Sequence, residues 1–221
     1  MKIRIFSLLV VFSLLITLVS CTKGNAFTVR EGNFVDKETG IEYISTSWEY
    51  EPISVSDEIY GEYSAVSDLL FYVIDGVDPQ KYICDNMETI YYAKGLTMPK
   101  LDEIDIDYVN VYNQYDELVT HITDMEFIAK LVDAFVNGYN SYSSIYLTNE
   151  VDIKTNQRIK FADADEGFYY VLAYVEYAEP FYYTDENGRE CQSDKVLFNR
   201  YTQTYIVVDE FINDYYATLQ E

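Results

Sequence analysis

Residues 168–177 read FYYVLAYVEY, a run in which both faces of an extended chain are apolar and only Glu176 interrupts the pattern. A strand that is apolar on both faces is normally covered from both sides. This stretch therefore predicts the central strand of a β-sheet, and the segments around it are interpreted as its neighbours.

Turn and helix signals follow this stretch toward the C-terminus. Residues 185–188 read DENG between two strand-like runs, and Asn-Gly is the strongest short signal for a β-hairpin. Residues 201–207 alternate as a further strand. A terminal amphipathic helix over 209–219 is predicted from apolar residues at helical spacing, namely Val208, Phe211, Ile212, Tyr215 and Leu219.

The clearest helix signal lies upstream of the central strand. The apolar residues Ile128, Leu131, Val132, Phe135, Val136 and Tyr139 recur at the spacing of one buried helical face. Thr123 and Glu126 have the spacing of a capping box, and Gly138 is placed to end the helix. We therefore expect a helix over 124–137, preceded by strands at 106–112 and 118–122.

The first half of the domain is rich in strand signals. A hairpin is predicted around the turn at 36–40, followed by strands at 47–53, 58–63, 68–74 and 89–93. Asp78-Pro79 has the sequence of a helix start, which predicts a short helix over 80–86. Residues 95–103 contain Gly95, Pro99 and few apolar residues, so they are the candidate for a boundary between two halves.

Many strands joined by hairpins, with few helices, favour the α+β class. We expect a mainly antiparallel sheet with two or three amphipathic helices packed on one face. One continuous domain over 27–221 is the preferred organisation, and a sub-boundary near 95–103 is the alternative.

The N-terminus has the parts of a secretory signal. Lys2 and Arg4 give a cationic start, residues 5–18 are mainly apolar, and the run ends at Leu18-Val19-Ser20-Cys21. These last four residues resemble the lipobox of bacterial lipoproteins. A membrane-spanning helix is the alternative, but the run over 5–20 is shorter than the roughly 20 residues that such a helix needs.

The resemblance implies that residues 1–20 are a lipoprotein signal peptide, cleaved before Cys21, and that the Cys21 thiol carries a diacylglycerol. Residues 21–26 would be a short lipidated tether and 27–221 an extracytoplasmic domain. Two or more acyl chains give a stable membrane attachment. The expected location is therefore the cell membrane, lipid-anchored, on the extracytoplasmic side. The resemblance covers residues 1–21 and implies no ligand or activity for the rest.

The composition is strongly acidic, with 38 acidic and 15 basic residues and a formal net charge of −23. Such a field repels nucleic acid and anionic lipid headgroups and attracts cations. We therefore expect no nucleic-acid partner. A basic protein or a cationic ligand remains open, beside the simpler interpretation that the acids form a solvated surface.

Aromatic residues are abundant, with 24 Tyr and 12 Phe but a single Trp, Trp48. Tyr and Phe suit a half-buried sheet surface, and we interpret these residues mainly as part of a sheet. Glycan-binding proteins also offer aromatic platforms, although usually with more Trp, so a glycan remains among the candidate partners.

The sequence contains no defensible catalytic motif. His121 is the only histidine, it lies in a predicted strand, and no nucleophile elbow accompanies it. If Cys21 is lipidated, Cys84 and Cys191 are the only pair that could form a disulfide, and two separate thiols are the preferred interpretation. A mechanism using two carboxylates remains open, because hydrolysis of a glycosidic bond needs only an acid and a partner carboxylate.

Calcium is the one metal for which the sequence offers candidates. Asp163 and Asp165 precede Gly167, with two carboxylates at alternate positions as in oxygen-ligand loops. Asp185 and Asn187 form a looser second candidate. Neither continues into a full calcium-binding loop, so acidic turns between strands are the preferred interpretation. We expect no cofactor, with calcium as the alternative.

These observations favour a lipid-anchored cell-envelope protein that acts as a non-enzymatic binding or interaction module. Its partner would be a basic protein, a cationic ligand or a glycan. The alternative is an extracytoplasmic hydrolase that uses acidic residues, with or without calcium.

Overall fold

A computed structural model describes residues 24–66, 68–138 and 153–208. In these residues the chain forms a closed barrel of short strands and a second, longer-stranded sheet, with one α-helix. The predicted α+β class with two or three helices on one sheet face is therefore wrong, because the described part is predominantly β. The expected signal peptide, Cys21 and the first half of the tether, residues 21–23, lie outside the described residues.

The barrel has seven strands in the spatial order β1-β2-β3-β8-β7-β6-β5. These strands are β1 (Asn25–Arg30), β2 (Asn33–Asp36), β3 (Glu42–Ser45), β5 (Val55–Glu62), β6 (Leu70–Ile74), β7 (Tyr82–Asp85) and β8 (Ile90–Ala93). All neighbours are antiparallel except β1 and β5, which close the barrel as a parallel pair. Gly61 is required at this closure, because a Cβ there would lie 2.4 Å from the Phe27 ring.

The second sheet has the order β10-β9-β11-β12-β13-β14. Its strands are β9 (Tyr108–Tyr112), β10 (Leu118–Ile122), β11 (Ile153–Asp163), β12 (Phe168–Thr184), β13 (Glu190–Asn199) and β14 (Thr204–Val207). A further short strand from the first half, β4 (Tyr50–Pro52), pairs with the start of β12. The predicted central strand is confirmed, since β12 is flanked by β11 on one side and by β4 and β13 on the other.

Buried side chains fall into three clusters. The barrel interior holds a mainly aromatic cluster of Phe27, Tyr43, Phe71, Ile83 and Tyr91. The largest cluster joins one barrel wall, one face of the sheet and the helix, and it includes Tyr82, Val109, Leu131, Ile159 and Phe168. A third lies on the opposite face of β12 and β13. Because the largest cluster draws on both sheets, it fixes the barrel against the second sheet.

The predicted helix over 124–137 is confirmed as α1 (Met125–Asn137). Its N-cap is Asp124 rather than Thr123, because the Asp124 carboxylate accepts hydrogen bonds from the backbone N–H groups of Glu126 and Phe127. Phe127, Ile128 and Leu131 form its buried face. No helix within the described ranges is long and apolar enough to cross a membrane.

The short helix expected over 80–86 is wrong. The Asp78 side chain does accept a hydrogen bond from the backbone N–H of Gln80, but the turn ends there and the chain continues as strand β7. The terminal helix expected over 209–219 lies outside the described residues. Between Ala93 and Tyr108 the chain passes from the barrel to the sheet, with a 3₁₀ turn at Leu101–Glu103.

Candidate functional site

The first predicted calcium loop is a turn in which the Asp163 carboxylate already accepts a hydrogen bond from the protein. Asp163 is buried at the end of β11, and its Oδ1 accepts a hydrogen bond of 2.9 Å from the backbone N–H of Glu166. Burial raises the pKa of Asp163. Asp165 is exposed. Asp163 and Asp165 therefore belong to the turn between β11 and β12. The side chain of Asp163 is buried, and that of Asp165 is exposed to solvent.

The second candidate loop is a hairpin turn. Asp185 accepts hydrogen bonds from the backbone N–H groups of Arg189 and Asn187 and from the Arg189 side chain. These bonds, first of all the one from the Arg189 backbone, lower the pKa of Asp185. Asn187 is exposed. The loops holding Asp163 and Asp185 lie at opposite ends of β12, and no group of three potential metal-ligating side chains occurs in the described residues.

Among the described residues, no hydrogen bond joins His121 to Cys84 or Cys191. His121 is exposed on β10, with Nδ1 2.7 Å from Oδ1 of Asn110 and its ring 4.9 Å from that of Tyr108. Cys84 and Cys191 are both free. Cys84 is fully buried, and burial raises the pKa of its thiol to about 12, so this cysteine is a core residue rather than a nucleophile.

An exposed tryptophan lies where the barrel meets the second sheet. Trp48 follows β3 in the turn that leads into β4, and 90% of its surface is accessible. It borders two cavities, one of about 340 Å³ against the second sheet and one of about 530 Å³ against the barrel. Glu51 and Arg158 border both cavities as well. We call this arrangement the Trp48 cleft, with a sheet-side and a barrel-side cavity.

The lining of the sheet-side cavity has an apolar part and a polar part. We call Val171, Ala173 and Phe198 its floor, and Glu49, Glu51, Arg158, Arg200 and Tyr201 its rim. Tyr201 is 62% exposed. An apolar surface with a few polar groups at its edge is the usual composition of a small-molecule site.

Hydrogen bonds hold this rim in place. The carbonyl of Glu49 accepts a bond of 2.7 Å from the backbone N–H of Val171, which ties the Trp48 turn to β12. The buried Asn199 donates to Glu49 Oε2 at 2.9 Å and to the Tyr170 hydroxyl at 2.8 Å. Asn199 Oδ1 accepts from the backbone N–H of Tyr201 at 2.9 Å. The Asn199 side chain therefore positions both Glu49 and the turn that carries Arg200.

Charges between the two cavities are paired. The Glu51 carboxylate accepts from Arg158 and, at 2.9 Å, from Lys160. Arg158 also contacts Asp116 at 2.9 Å. Lys160 lies over the rings of Tyr112 and Tyr169, with its Nζ 4.5 and 5.4 Å from their centroids.

The barrel-side cavity is more acidic. Asp85 is buried, and it accepts hydrogen bonds from the backbone N–H groups of Met87 and Thr89 and from the Tyr91 hydroxyl. The Thr46 hydroxyl in its lining is buried and has no hydrogen-bond partner among the described residues. An unpartnered buried hydroxyl is unusual in a folded protein.

The arrangement of the cleft suits binding better than proton transfer. Glu49, Glu51 and Asp85 each accept hydrogen bonds from protein donors, so none of these carboxylates is poised as a free acid beside a partner base. The sequence signal for this site is the single Trp within the polar stretch STSWE at 45–49. The interpretation of the aromatic residues as sheet residues is wrong for Trp48, which is exposed in a turn.

Comparison of the chain with protein-family models, curated proteins and solved structures gave no match, so the residues of the cleft are the guide to function.

Proposed function

We propose that the chain is a lipid-anchored cell-envelope protein on the extracytoplasmic side of the membrane. In this proposal it is a non-enzymatic binding module, and the Trp48 cleft is its ligand site. The anchor rests on the lipobox-like sequence Leu18-Val19-Ser20-Cys21 and on the cationic, apolar segment before it.

The binding role rests on the exposure of Trp48. A solvent-exposed indole loses the hydrophobic stabilisation that its burial would provide, about 1.5–3 kcal/mol for a large apolar side chain. At 90% exposure Trp48 contributes little to the core, yet it borders two cavities with mixed polar and apolar linings. An aromatic side chain in this position is typical of a residue that packs against a partner.

A hydrolase using acidic residues is the weaker alternative. General acid catalysis needs a protonated carboxyl group within reach of the scissile bond and a second carboxylate nearby. Three acids of the cleft, Glu49, Glu51 and Asp85, are instead engaged with Asn199, Lys160, Arg158 and Tyr91. Nothing in the cleft favours hydrolysis over binding.

The binding proposal is tested with the full chain in a detergent that has no sugar headgroup. Because Trp48 is the only tryptophan, its emission reports on the cleft alone when it is excited beyond the tyrosine absorption band. Titration with soluble glycans and basic peptides is expected to shift this emission with at least one of them. Calorimetry with the same ligand is expected to give affinity weaker by about tenfold or more for Trp48→Ala.

Tyr182→Ala is the matched control, since Tyr182 is an exposed aromatic at 55% on the far part of β12. Its affinity should equal that of the wild type. Unchanged Trp48 emission with every ligand would contradict the proposal, and so would an equal loss of affinity in Trp48→Ala and Tyr182→Ala. Chemical conversion of a ligand would show that the protein is an enzyme and would contradict the non-enzymatic proposal.

The anchor is tested by intact mass of the membrane fraction. We expect a chain that starts at Cys21 and carries acyl groups, and we expect Cys21→Ala to lose membrane attachment. An unmodified N-terminus, or a Cys21→Ala chain that stays in the membrane fraction, would contradict the anchor without affecting the cleft.

A further inference from the structure

We infer that the sheet-side cavity of the Trp48 cleft binds an uncharged glycan, with a sugar ring stacked on Trp48. This inference rests on the proposed binding function and names the ligand class for that site. It follows from the shape, the charge balance and the hydrogen-bonding groups of the cavity.

The first observation is the combination of an indole with an apolar floor. A pyranose ring has C–H groups on its faces and hydroxyl groups around its edge, so it needs apolar contact on a face and polar contact at the rim. Trp48 provides an exposed flat surface, and Val171, Ala173 and Phe198 provide apolar surface in the lining of the same cavity. The cavity of about 340 Å³ can hold one or two sugar rings.

The second observation is the charge balance of the rim. The sheet-side lining contains two acids, Glu49 and Glu51, and two arginines, Arg158 and Arg200. The whole chain has 38 acidic and only 15 basic residues, so a balanced lining departs from the rest of the protein. A balanced lining adds no local attraction for an ion of either sign, so the cavity itself favours an uncharged ligand.

The third observation concerns the groups left for hydrogen bonding. Glu49 uses Oε2 for Asn199, while no described residue donates to its Oε1. Arg158 uses two nitrogens for Glu51 and Asp116, and its five N–H donors leave others for a ligand. Arg200 is exposed beside them. A carboxylate acceptor next to guanidinium donors matches neighbouring hydroxyl groups, which both donate and accept.

The site is also ordered before any ligand arrives. Asn199 uses its amide hydrogens for Glu49 and Tyr170 and its oxygen for the backbone of the following turn. The Val171–Glu49 backbone bond fixes the other side. Groups already held in position lose less conformational freedom on binding, so Asn199 is a positioning residue for the rim.

The competing ligand is a cation. The barrel-side cavity is bordered by Glu51, Asp85 and Glu88 but by one arginine only, and a cationic group could also stack on Trp48. The affinities of the two kinds of ligand differ in their dependence on salt. Binding of a cation weakens as salt screens the acids, whereas binding of an uncharged glycan does not.

The test titrates the full chain with cellohexaose, chitohexaose and hexalysine, at low and high salt, following Trp48 emission and calorimetry. We expect at least one of the two oligosaccharides to bind, with less than about a twofold change in Kd between the salt conditions. Tyr182→Ala, at an exposed aromatic residue outside the cavity lining, is expected to leave glycan binding unchanged. Trp48→Ala is expected to weaken it by about tenfold or more.

Each outcome decides the inference. Binding of hexalysine without either oligosaccharide, weakened by salt and by Glu49→Gln, would overturn the glycan inference and leave the binding function in place. If none of the three probes binds, the glycan inference is overturned. The binding function is overturned as well only if none of the soluble glycans and basic peptides of the wider panel binds. Oligosaccharide binding that persists in Trp48→Ala would also overturn the glycan inference, because stacking on Trp48 would then contribute nothing to the affinity.

Discussion

Two carboxylates of the barrel are held ionised by their neighbours. Glu42 is buried and accepts hydrogen bonds from Asn33 at 2.8 Å, Lys94 at 2.9 Å and Arg30 at 2.5 Å. These bonds lower the pKa of Glu42 to about 2. For Asp36, burial alone would raise the pKa, but hydrogen bonds from the Glu38 backbone and from nearby side chains outweigh it and lower the pKa.

These carboxylates make the free energy of unfolding depend on pH in the acid range. Because the folded pKa of Glu42 lies below its ordinary value of 4.5, its stabilising effect is complete above that value. It is lost as the pH falls toward about 2. We expect Glu42→Gln to lower the free energy of unfolding at neutral pH and to flatten its decline in this acid range, as measured by urea unfolding at a series of pH values.

The matched control is Glu58→Gln, at an exposed position on strand β5. Its unfolding free energy should follow the wild-type curve. A Glu42→Gln curve parallel to that of the wild type through the acid range would show that this carboxylate has no special role.

The two cysteines should differ sharply in reactivity. Cys84 is fully buried with a pKa raised to about 12, whereas Cys191 is partly exposed on β13. The thiolate is the reactive form, so a thiol reagent should modify Cys191 in the native protein and Cys84 only after unfolding. Mass spectrometry without reductant measures the labelling of each cysteine. If neither cysteine is labelled in denaturant, the two are instead joined by a disulfide bond.

Trp48 marks the limit of what single residues reveal in the sequence. The apolar run predicts Phe168 and Tyr170 as sheet residues, and the structure confirms this. The same interpretation is wrong for Trp48, because its environment depends on the turn before β4 and on β12, which is distant in sequence. Local pattern gave no means of distinguishing a buried indole from an exposed one.

Turns between strands have two different reasons for containing glycine. Gly167 connects β11 and β12 with φ +74°, and a Cβ there would lie 2.3 Å from Val77 Cγ2 of the barrel side. Gly188 connects β12 and β13 with φ +76°, but a Cβ there would meet nothing within 4 Å. The first glycine is needed for conformation and for packing, and the second for conformation alone.

The pair permits a direct comparison. Gly188→Ala should destabilise the fold by about 1–2 kcal/mol, the cost of a left-handed backbone with a side chain. Gly167→Ala should cost about 1–3 kcal/mol more, because the added methyl group also overpacks the contact with Val77. Urea unfolding of both variants measures the difference, and equal losses would mean that the turn can move away from the barrel freely.

Element prediction succeeded where the signal was local. The Asn187-Gly188 hairpin, the helix α1 and the central strand each follow from a short stretch of sequence, and all three are confirmed. The expected helix over 80–86 failed although its start signal was real, because Asp78 caps only a turn. Tyr82 and Cys84 are then buried on one side of the strand and Ile83 on the other, a preference that only the tertiary context decides.

The assembly of the two sheets was beyond sequence reasoning for a physical reason. The barrel closes through two residue pairs, Asn25 with Gly61 and Ala26 with Glu62, and the second sheet takes in β4 from the first half. Both pairings join segments far apart in the chain, and their stability depends on packing that forms only in the complete fold. The Trp48 cleft exists because of this assembly, so the sequence could not locate it.

The barrel and the second sheet should unfold as one cooperative unit. Phe168, at the start of β12, packs edge-on against Tyr50 of β4 and Tyr82 of the barrel, with ring centroids 5.7 and 6.0 Å apart. It is 1% exposed. Phe168→Ala should therefore reduce the global stability by about 3–5 kcal/mol, and it should do so for both parts of the molecule.

Hydrogen exchange measured residue by residue distinguishes the alternatives, since amides that exchange only through global unfolding share one free energy. In Phe168→Ala the amides of Ile83 in the barrel and Ile159 in the sheet should lose protection by the same amount, whereas the exposed Tyr182→Ala should leave both unchanged. Loss at Ile159 with full protection at Ile83 would mean that the segment over 95–103 separates two independent units. In that case the cleft would lie between parts free to shift, and its affinity for a ligand would depend on how they dock.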